Sequence, residues 1–359
     1  MLVLAPRAET ADPTLDYYYD FSTNREEFAR AFTELDMAWQ WRDVTRRDAG
    51  DVIDQFLGEC TAHQPVIFNM CDGDETNNVP GISVIRHLVA TGVPFTGANE
   101  EFYAGTTSKI DMKRAFDQAG VGTAPWAVVE RKRAGTKKLF ATLGTPLIVK
   151  PAVSAGSMGI TVKSVVHDDR ALREQLEQLH AGYHGCDLVS GGVFVERFIA
   201  GQEFTTFIVG SASAPEQCTI YPPVERVFHA TLPDTEKFLS YDRLWEVHER
   251  EAPLPDGGWL WDYRAVPAEL GARIERLSWE AYVAVRGHGY GRVDLRLDAT
   301  TGELHVLEVN AQCGLSDDEN YTSIGAILRV ANRSFGNMVG QIIAGALSER
   351  LGPVPAGHS

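Results

Sequence analysis

The stretch GRVDLRLDATTGELHVLEVN, Gly291–Asn310, predicts two β-strands joined by a turn rich in Thr and Gly. The register that aligns the two strands places Asp294 opposite Glu308 and Arg292 opposite Asn310. Because side chains alternate between the two faces of a strand, these four polar side chains share one face. We therefore expect a hairpin with two carboxylates, an amide and a guanidinium on one face and an apolar face turned to the core.

This register follows from pairing Asp298 with Leu304, the two residues that flank the turn. It also predicts which side chains enter the core. The apolar face carries Val293, Leu295, Leu297, Leu307 and Val309.

Two carboxylates that lie directly opposite each other destabilise a strand pair unless a cation compensates them. Mg²⁺ takes carboxylate and amide oxygens as ligands and commonly bridges phosphate groups. Asp294, Glu308 and Asn310 are therefore candidate metal ligands. The alternative is a surface ladder of ion pairs, in which Arg292 and Arg296 neutralise the two acids.

A Gly-rich turn lies upstream in LIVKPAVSAGSMGITV, residues 147–162. Lys150 ends an apolar strand, and the small residues after it let backbone amides approach an anion closely. Lysine precedes the glycines, so the order differs from that of a P-loop. The pattern predicts a phosphate-binding loop between two strands, or alternatively a flexible hairpin turn with a surface lysine.

The segments VFVERFI (193–199) and EFTTFIVG (203–210) predict two strands joined by three residues, and hence a hairpin. Glu196 interrupts the first strand and Glu203 begins the second. A nucleobase needs a hydrogen-bond acceptor for its exocyclic amine, and a ribose needs one for its hydroxyl groups. Glu196 and Glu203 are candidates for these two acceptors. The alternative for either glutamate is an exposed strand with its charge in solvent.

Composition limits the partners. The 359 residues carry 33 basic and 49 acidic side chains, a formal net charge of −16, which disfavours nucleic acid and anionic membranes. We find neither an apolar run of membrane-spanning length nor a basic secretory leader. The five scattered cysteines form no CxxC pair, so we expect a reducing, cytoplasmic environment.

Residues 1–98 alternate short apolar strands with amphipathic helices, which predicts a parallel sheet. The stretch TLDYYYDFS (14–22) fits neither template and is interpreted as a packed loop or a substrate lid. Residues 228–255 are polar and irregular, and they are long enough for a functional loop. These segments, with residues 69–78, are the candidate specificity elements.

The order of these motifs resembles the ATP-grasp superfamily, and within it the D-alanine–D-alanine ligase-like branch. The resemblance spans residues 66–347 and is carried by PFTGAN, SKIDMKRAFDQAGVGTAPW, LIVKPAVSAGSMG, VFVERFIAGQEFT, GRVDLRLD and LEVNAQCGLS. It implies an α/β fold of the α+β ATP-grasp type. The expected division is an N-terminal parallel α/β domain (1–104), a central subdomain with the Gly-rich loop (105–190) and a C-terminal subdomain with the metal site (191–359).

The resemblance also implies roles for single residues. The groups that would hold ATP are Lys109, Lys150 and Ser157 on the phosphates, Glu196, Arg197, Phe198 and Ile199 on adenine, and Glu203 on ribose. Two Mg²⁺, for which Mn²⁺ can substitute, would be held by Asp294, Glu308 and Asn310. The groups assigned to catalysis are Arg292 and the Gly314 amide at an oxyanion, and Lys237 closing over the γ-phosphate. The resemblance further implies a homodimer.

Four departures from the family pattern bear on the substrates. Glu319 replaces a hydroxyl residue, Cys313 a proline and Gly156 a serine, and the N-terminal Glu-containing turn has no match. Because a carboxylate would repel the carboxylate of a second amino acid, Asp317, Asp318 and Glu319 predict an amine or basic nucleophile instead.

The sequence thus predicts an ATP-dependent carboxylate–amine ligase that works through an acyl phosphate on small molecules other than D-alanine pairs. Three alternatives stay open. They are a D-alanine–D-alanine ligase of cell-wall synthesis, another acyl-phosphate enzyme that carboxylates or forms thioesters, and an ATP-binding regulator without turnover.

Overall fold

A computed structural model describes residues 1–129, 136–244 and 259–351. The strands are β1 Leu2–Pro6, β2 Gln40–Val44, β3 Ile67–Asn69, β4 Trp126–Val128, β5 Leu147–Pro151, β6 Val165–Val166, β7 Val193–Arg197, β8 Gly201–Val209, β9 Thr219–Ile220, β10 Val224–Phe228, β11 Trp261–Ala265, β12 Tyr290–Asp298 and β13 Leu304–Ala311. The helices are α1 Pro13–Tyr18, α2 Ser22–Glu34, α3 Ala49–Glu59, α4 Ile82–Thr91, α5 Glu100–Thr107, α6 Lys109–Ala119, α7 Thr136–Leu143, α8 Asp169–Ala181, α9 Tyr241–Leu244, α10 Ala268–Ala284, α11 Ser323–Ala331 and α12 Phe335–Leu351.

The first sheet is parallel, as the alternation of strands and helices predicts. Its strand order is β2-β1-β3, and β1 pairs in parallel with both neighbours. All five residues of β1 are buried because helices cover the sheet. The carboxyl end of β3 therefore opens into the segment 70–80.

The sequence suggested a loop for the Tyr-rich segment. The structure instead shows that the segment contains the short helix α1. Its Leu15 is buried in the apolar cluster of the central sheet, beside Tyr241. His184 Nδ1 lies 3.0 Å from Asp12 Oδ2, so the segment is tied to the central sheet at a second point. The beginning of the chain thus crosses from the first sheet to the second.

The central sheet corrects two expectations. Its order is β4-β7-β5-β6, so β7 pairs with β4 and β5, whereas β8 belongs to the third sheet. The predicted hairpin of 193–199 with 203–210 is therefore wrong. Of the strand expected after the Gly-rich turn, only β6 forms, since Val162–Ser164 is a 3₁₀ turn. The division at residues 104 and 190 stays a prediction.

The third sheet places the metal-candidate hairpin at its edge. Its order is β11-β10-β8-β12-β13, with β9 added to β8, and β12 pairs antiparallel with both β8 and β13. Arg292 pairs with Asn310 and Asp294 with Glu308, as expected. Beyond Asp294 the register shifts by one residue, so Leu297, not Asp298, faces Leu304. The extra residue is a β-bulge, and Leu307 is half-buried instead of in the core.

One apolar cluster joins the first and third sheets. Phe28 of α2 lies 4.9 Å from Phe68 of β3 and 5.3 Å from Phe335 of α12, measured between ring centres. Tyr290 of β12 belongs to the same cluster. This shared core fixes the carboxyl end of β3 against the start of β12.

None of the helices within the described ranges has the length and apolar character needed to cross a bilayer.

Candidate active site

The polar face of β12 and β13 forms the centre of the site. The Arg292 guanidinium makes a bidentate contact with the Asp294 carboxylate. Nε donates to Oδ1 at 3.1 Å and Nη2 donates to Oδ2 at 2.8 Å. Asn310 Nδ2 donates to Asp294 at 2.9 Å and to Glu308 at 3.3 Å. Burial alone would lower the pKa of Arg292, but the adjacent Asp294 carboxylate outweighs it and raises that pKa. Arg292 is therefore a permanent cation.

Lys109 connects this face to the Gly-rich loop, residues 152–160. It begins α6, which Ser108 caps by accepting a hydrogen bond from the Asp111 amide. The Lys109 ammonium donates to the Ser154 carbonyl at 2.8 Å and lies 3.5 Å from Glu308 Oε2. The Ser154 hydroxyl is buried without a hydrogen-bond partner among the described residues, so it is available to a phosphate.

The Gly-rich loop is covered from two sides. Gly156 has a φ of +53°, and a Cβ there would lie 2.5 Å from the Tyr18 ring, so only glycine fits. Ser157 has a φ of +63°, and its hydroxyl donates to the Leu239 carbonyl at 2.9 Å. The described part of the predicted functional loop thus closes on the Gly-rich loop, while its residues 245–255 lie outside the described ranges.

Lys150 belongs to a buried ion triple that sequence reasoning missed. Glu196 lies 2.6 Å from the ammonium groups of both Lys150 and Lys113. Burial would raise the pKa of Glu196, but the two lysines outweigh it and lower that pKa to about 2. Lys113 is four residues after Lys109, so both project from one face of α6 toward the nucleotide side of the site.

Glu203 also has two cationic partners. Its carboxylate binds Arg226 and lies 3.0 Å from Arg296 Nη2. The two arginines keep it ionised, because they lower its pKa against the opposing effect of burial. Arg296 also donates to the Ile199 carbonyl at 2.7 Å and stacks 4.9 Å from the Phe198 ring. Glu203 therefore lies beside the segment predicted to hold adenine.

The other residues predicted for the nucleotide lie at the same end. Arg197 lies 3.1 Å from Asp298 Oδ2. The Lys237 carbonyl accepts from Arg296, and its ammonium group is 2.6 Å from Asp234. The roles of Lys237 at the γ-phosphate and of Glu203 at ribose stay predictions.

The loop 314–319 is held by the N-terminal region. Glu27 of α2 is buried and accepts from the Ser316 hydroxyl at 2.8 Å and from the Asp317 amide at 3.0 Å. Burial raises the pKa of Glu27. The sequence around Glu27 did not predict this role, because its hydrogen-bond partners lie about 290 residues away in the chain.

The three acids of this loop are exposed. Asp318 accepts from the amides of Asn320 and Tyr321, at 2.9 and 3.0 Å, and so caps a turn. Cys313 is buried, which raises the pKa of its thiol to about 12 and makes it a packing residue.

A family model described as the C-terminus of D-Ala–D-Ala ligase matches residues 115–344. The chain belongs to the D-alanine–D-alanine ligase family. It is therefore an ADP-forming ligase with the ATP-grasp fold, as the motif order predicts.

Curated relatives agree with this membership. The chain is 27% identical over 273 residues to the D-alanine–D-alanine ligase of Nitrosococcus oceani, covering 75% of this chain and 74% of the relative. It is 26% identical over 336 residues to that of Xanthomonas axonopodis, covering 88% and 91%. The D-alanine–D-alanine ligase of Bacillus anthracis, solved with ATP, shares the fold with a TM-score of 0.67 at 18% identity and 98% coverage of both chains.

These relatives contradict the expectation of substrates other than D-alanine pairs, because they are named D-alanine–D-alanine ligases. That expectation treated the acids of the loop as a binding site for an amine. The structure gives Asp318 a turn to cap and leaves Glu319 exposed. The difference in sequence is therefore no evidence of a different substrate.

Proposed function

We propose that this family member joins two D-alanine molecules with ATP, releasing ADP, phosphate and D-alanyl-D-alanine. The observation that carries the proposal is the position of Lys109, whose ammonium group bonds the Gly-rich loop and lies 3.5 Å from Glu308. One cation thus joins the phosphate-binding loop to the metal-candidate face. This is where a γ-phosphate would meet an acceptor carboxylate.

Phosphoryl transfer requires positioning and charge neutralisation more than a protein nucleophile. Lys109, Lys150 and the Gly-rich loop would hold the phosphates while the first D-alanine carboxylate attacks the γ-phosphorus and ADP leaves. Tyr18 covers the loop, and excluding water here would protect the acyl phosphate from hydrolysis.

The amine of the second D-alanine would then attack the acyl carbon, and phosphate would leave. Arg292 and the Gly314 amide are the donors proposed for the oxyanion of the tetrahedral intermediate. Because its pKa is raised, Arg292 stays charged throughout. Asp294 would keep the guanidinium aligned through its two-forked contact.

The donor set of Asp294, Glu308 and Asn310 fits Mg²⁺, since it offers only oxygen ligands from two neighbouring strands. Within the described residues no three His, Cys, Asp or Glu side chains form a metal site of their own. Phosphate oxygens would therefore complete the shell. Bound Mg²⁺ would neutralise the phosphates and orient the γ-phosphoryl group.

Incubation of the protein with ATP, Mg²⁺ and D-alanine tests the proposal. We expect ADP release coupled to formation of D-alanyl-D-alanine, detected by mass spectrometry, and little release with L-alanine. Glu308→Gln should lower turnover by about 100-fold or more, whereas Glu303→Gln, an exposed change near the turn of the same hairpin, should not. ATP binding without any stimulation by D-alanine would contradict the proposal.

A further inference from the structure

Asp72 lies just beyond the carboxyl end of β3, in the segment 70–80. No side chain in the described ranges donates to it or pairs with it, although it is only partly exposed. Its two acidic neighbours have structural tasks. Asp74 accepts from the Thr76 amide at 2.9 Å, and Glu75 accepts from the Ser83 amide at 2.6 Å.

The backbone on both sides of Asp72 is fixed by buried side chains. Gln312 donates to the Cys71 carbonyl at 2.9 Å, and Tyr103 donates to the Gly73 carbonyl at 2.8 Å. A partly buried carboxyl group on a fixed backbone, without a cation to pair with, indicates a ligand site, because ionising it there without a partner is costly.

One of these contacts connects the Asp72 segment to the strand end that carries the proposed reaction centre. Gln312 lies two residues after Asn310 and two before Gly314, so the bond to Cys71 joins the Asp72 segment to the metal and oxyanion groups. From the other side, Tyr18 packs on Gly156 of the Gly-rich loop. Burial and the nearby Asp72 carboxylate raise the pKa of the Tyr18 phenol, whereas Arg292 lowers it, so both charges lie within electrostatic range of this ring.

We propose that Asp72 binds the ammonium group of the first amino acid, with Tyr18 as the wall that faces the Gly-rich loop. This inference rests on the proposed function, in which the phosphorylated substrate is an amino acid. Its carboxylate would point to the phosphates and Arg292, and its ammonium group to Asp72. Pairing with a carboxylate also keeps this amine protonated, so that only the second substrate supplies a nucleophile.

Burial raises the pKa of Asp72 to about 7, and the incoming ammonium group would favour the ionised form. The surroundings do not titrate near neutrality, since burial raises the pKa of the phenols and thiols of Tyr18, Tyr103, Tyr290, Cys71 and Cys313. The other charged groups near it are Asp74, Glu75 and Arg292. We therefore expect kcat/KM for the first substrate to rise with pH through about 7.

Trapping the acyl phosphate with hydroxylamine isolates the first subsite. In this reaction D-alanine, ATP and hydroxylamine give D-alanine hydroxamate, ADP and phosphate, so no second amino acid is needed. Propionate, the same acid without the ammonium group, is the comparison substrate. We expect the parent to prefer D-alanine strongly.

Asp72→Asn should raise the KM for D-alanine by about 100-fold, abolish the preference over propionate and remove the rise in kcat/KM near pH 7. The ATP dissociation constant and the melting temperature should stay unchanged. Asp72→Glu, which keeps the charge, should retain part of the preference. Asp74→Asn removes a charge two residues away but keeps a capping side chain, so it should behave like the parent.

The outcomes separate the two proposals. If the parent forms D-alanine hydroxamate and Asp72→Asn does so with unchanged KM, preference and pH profile, the assignment of Asp72 is wrong and the proposed function stands. If the parent binds ATP but forms no hydroxamate from D-alanine, the proposed function is wrong, and this inference fails with it.

Discussion

Removing Lys113 is expected to destabilise the protein, because its ammonium group pairs with the buried carboxylate of Glu196. Lys113 and Glu196 are both nearly inaccessible, and their charged atoms lie 2.6 Å apart. Replacing one member of a buried ion pair typically costs 3–5 kcal/mol because the other charge stays buried. Lys150 still pairs with Glu196, so we expect the lower end, about 3 kcal/mol, for Lys113→Met.

The dependence of the free energy of unfolding on pH gives a second measure of the ion triple formed by Lys113, Lys150 and Glu196. The pKa of Glu196 is about 2 against an ordinary 4.5, a difference worth about 3 kcal/mol at about 1.4 kcal/mol per pH unit. Because the folded-state pKa is the lower one, this stabilisation is complete above about pH 4.5 and is lost as the pH falls toward 2. In Lys113→Met the pKa of Glu196 should be less depressed, so the loss below about pH 4.5 should be smaller and should be complete at a higher pH.

Thermal and urea unfolding, followed by circular dichroism at pH 7, measure the effect. With about 2.1 cal/mol/K per residue over 359 residues, a loss of 3 kcal/mol lowers Tm by about 4 °C. Arg114→Met is the matched control on α6, since its ion pair with Asp111 is exposed and worth less than about 1 kcal/mol. Adding Glu196→Gln to Lys113→Met should restore part of the loss. An unchanged Tm and urea midpoint in Lys113→Met would refute the reasoning.

Three further changes test the site itself. Gly156→Ala should lower kcat/KM for ATP about tenfold because its Cβ would lie 2.5 Å from the Tyr18 ring at a left-handed φ, and adding Tyr18→Ala should restore part of it. Glu27→Ala should raise the KM for the second D-alanine about tenfold in steady-state kinetics, since two donors of the loop 314–319 lose their acceptor, while Glu34→Ala on the same helix should not. Asp294→Ala should abolish the Mg²⁺ dependence of ATP binding in calorimetry, and an unchanged Mg²⁺ response would contradict the metal assignment.

The strand register of the β12–β13 hairpin was predictable around Asp294 and Glu308. Between these residues and the turn it was not. Strict alternation of polar and apolar residues fixes the pairs around Asp294 and Glu308. The bulge at Leu307 leaves no trace in the sequence, because an apolar residue suits both the expected core position and the observed bulge. Local pattern also failed at Gly201, whose φ of +149° lets the chain leave one sheet for another where three residues suggested a hairpin.

The motif residues of the candidate site were predictable because they stand at recognisable spacings. Lys113, Glu27 and Asp72 were not, because what distinguishes each is burial against a remote segment. Glu27 meets its partners across about 290 residues, and Asp72 owes its fixed position to Gln312 and Tyr103. Such residues have no local signature, since a lone acid on a helix or after a strand is most often solvated.

The docking of Leu15 has a consequence for how the cleft opens. The Leu15 side chain is embedded against the central sheet while its own chain segment begins in the first sheet, so it would resist any outward swing of the central sheet. Outward movement must withdraw it into water, at a cost of about 2 kcal/mol, or carry α1 along. An outward swing of the central sheet and the release of α1 would therefore occur together. Shortening the side chain in Leu15→Ala should change the rate of ADP release.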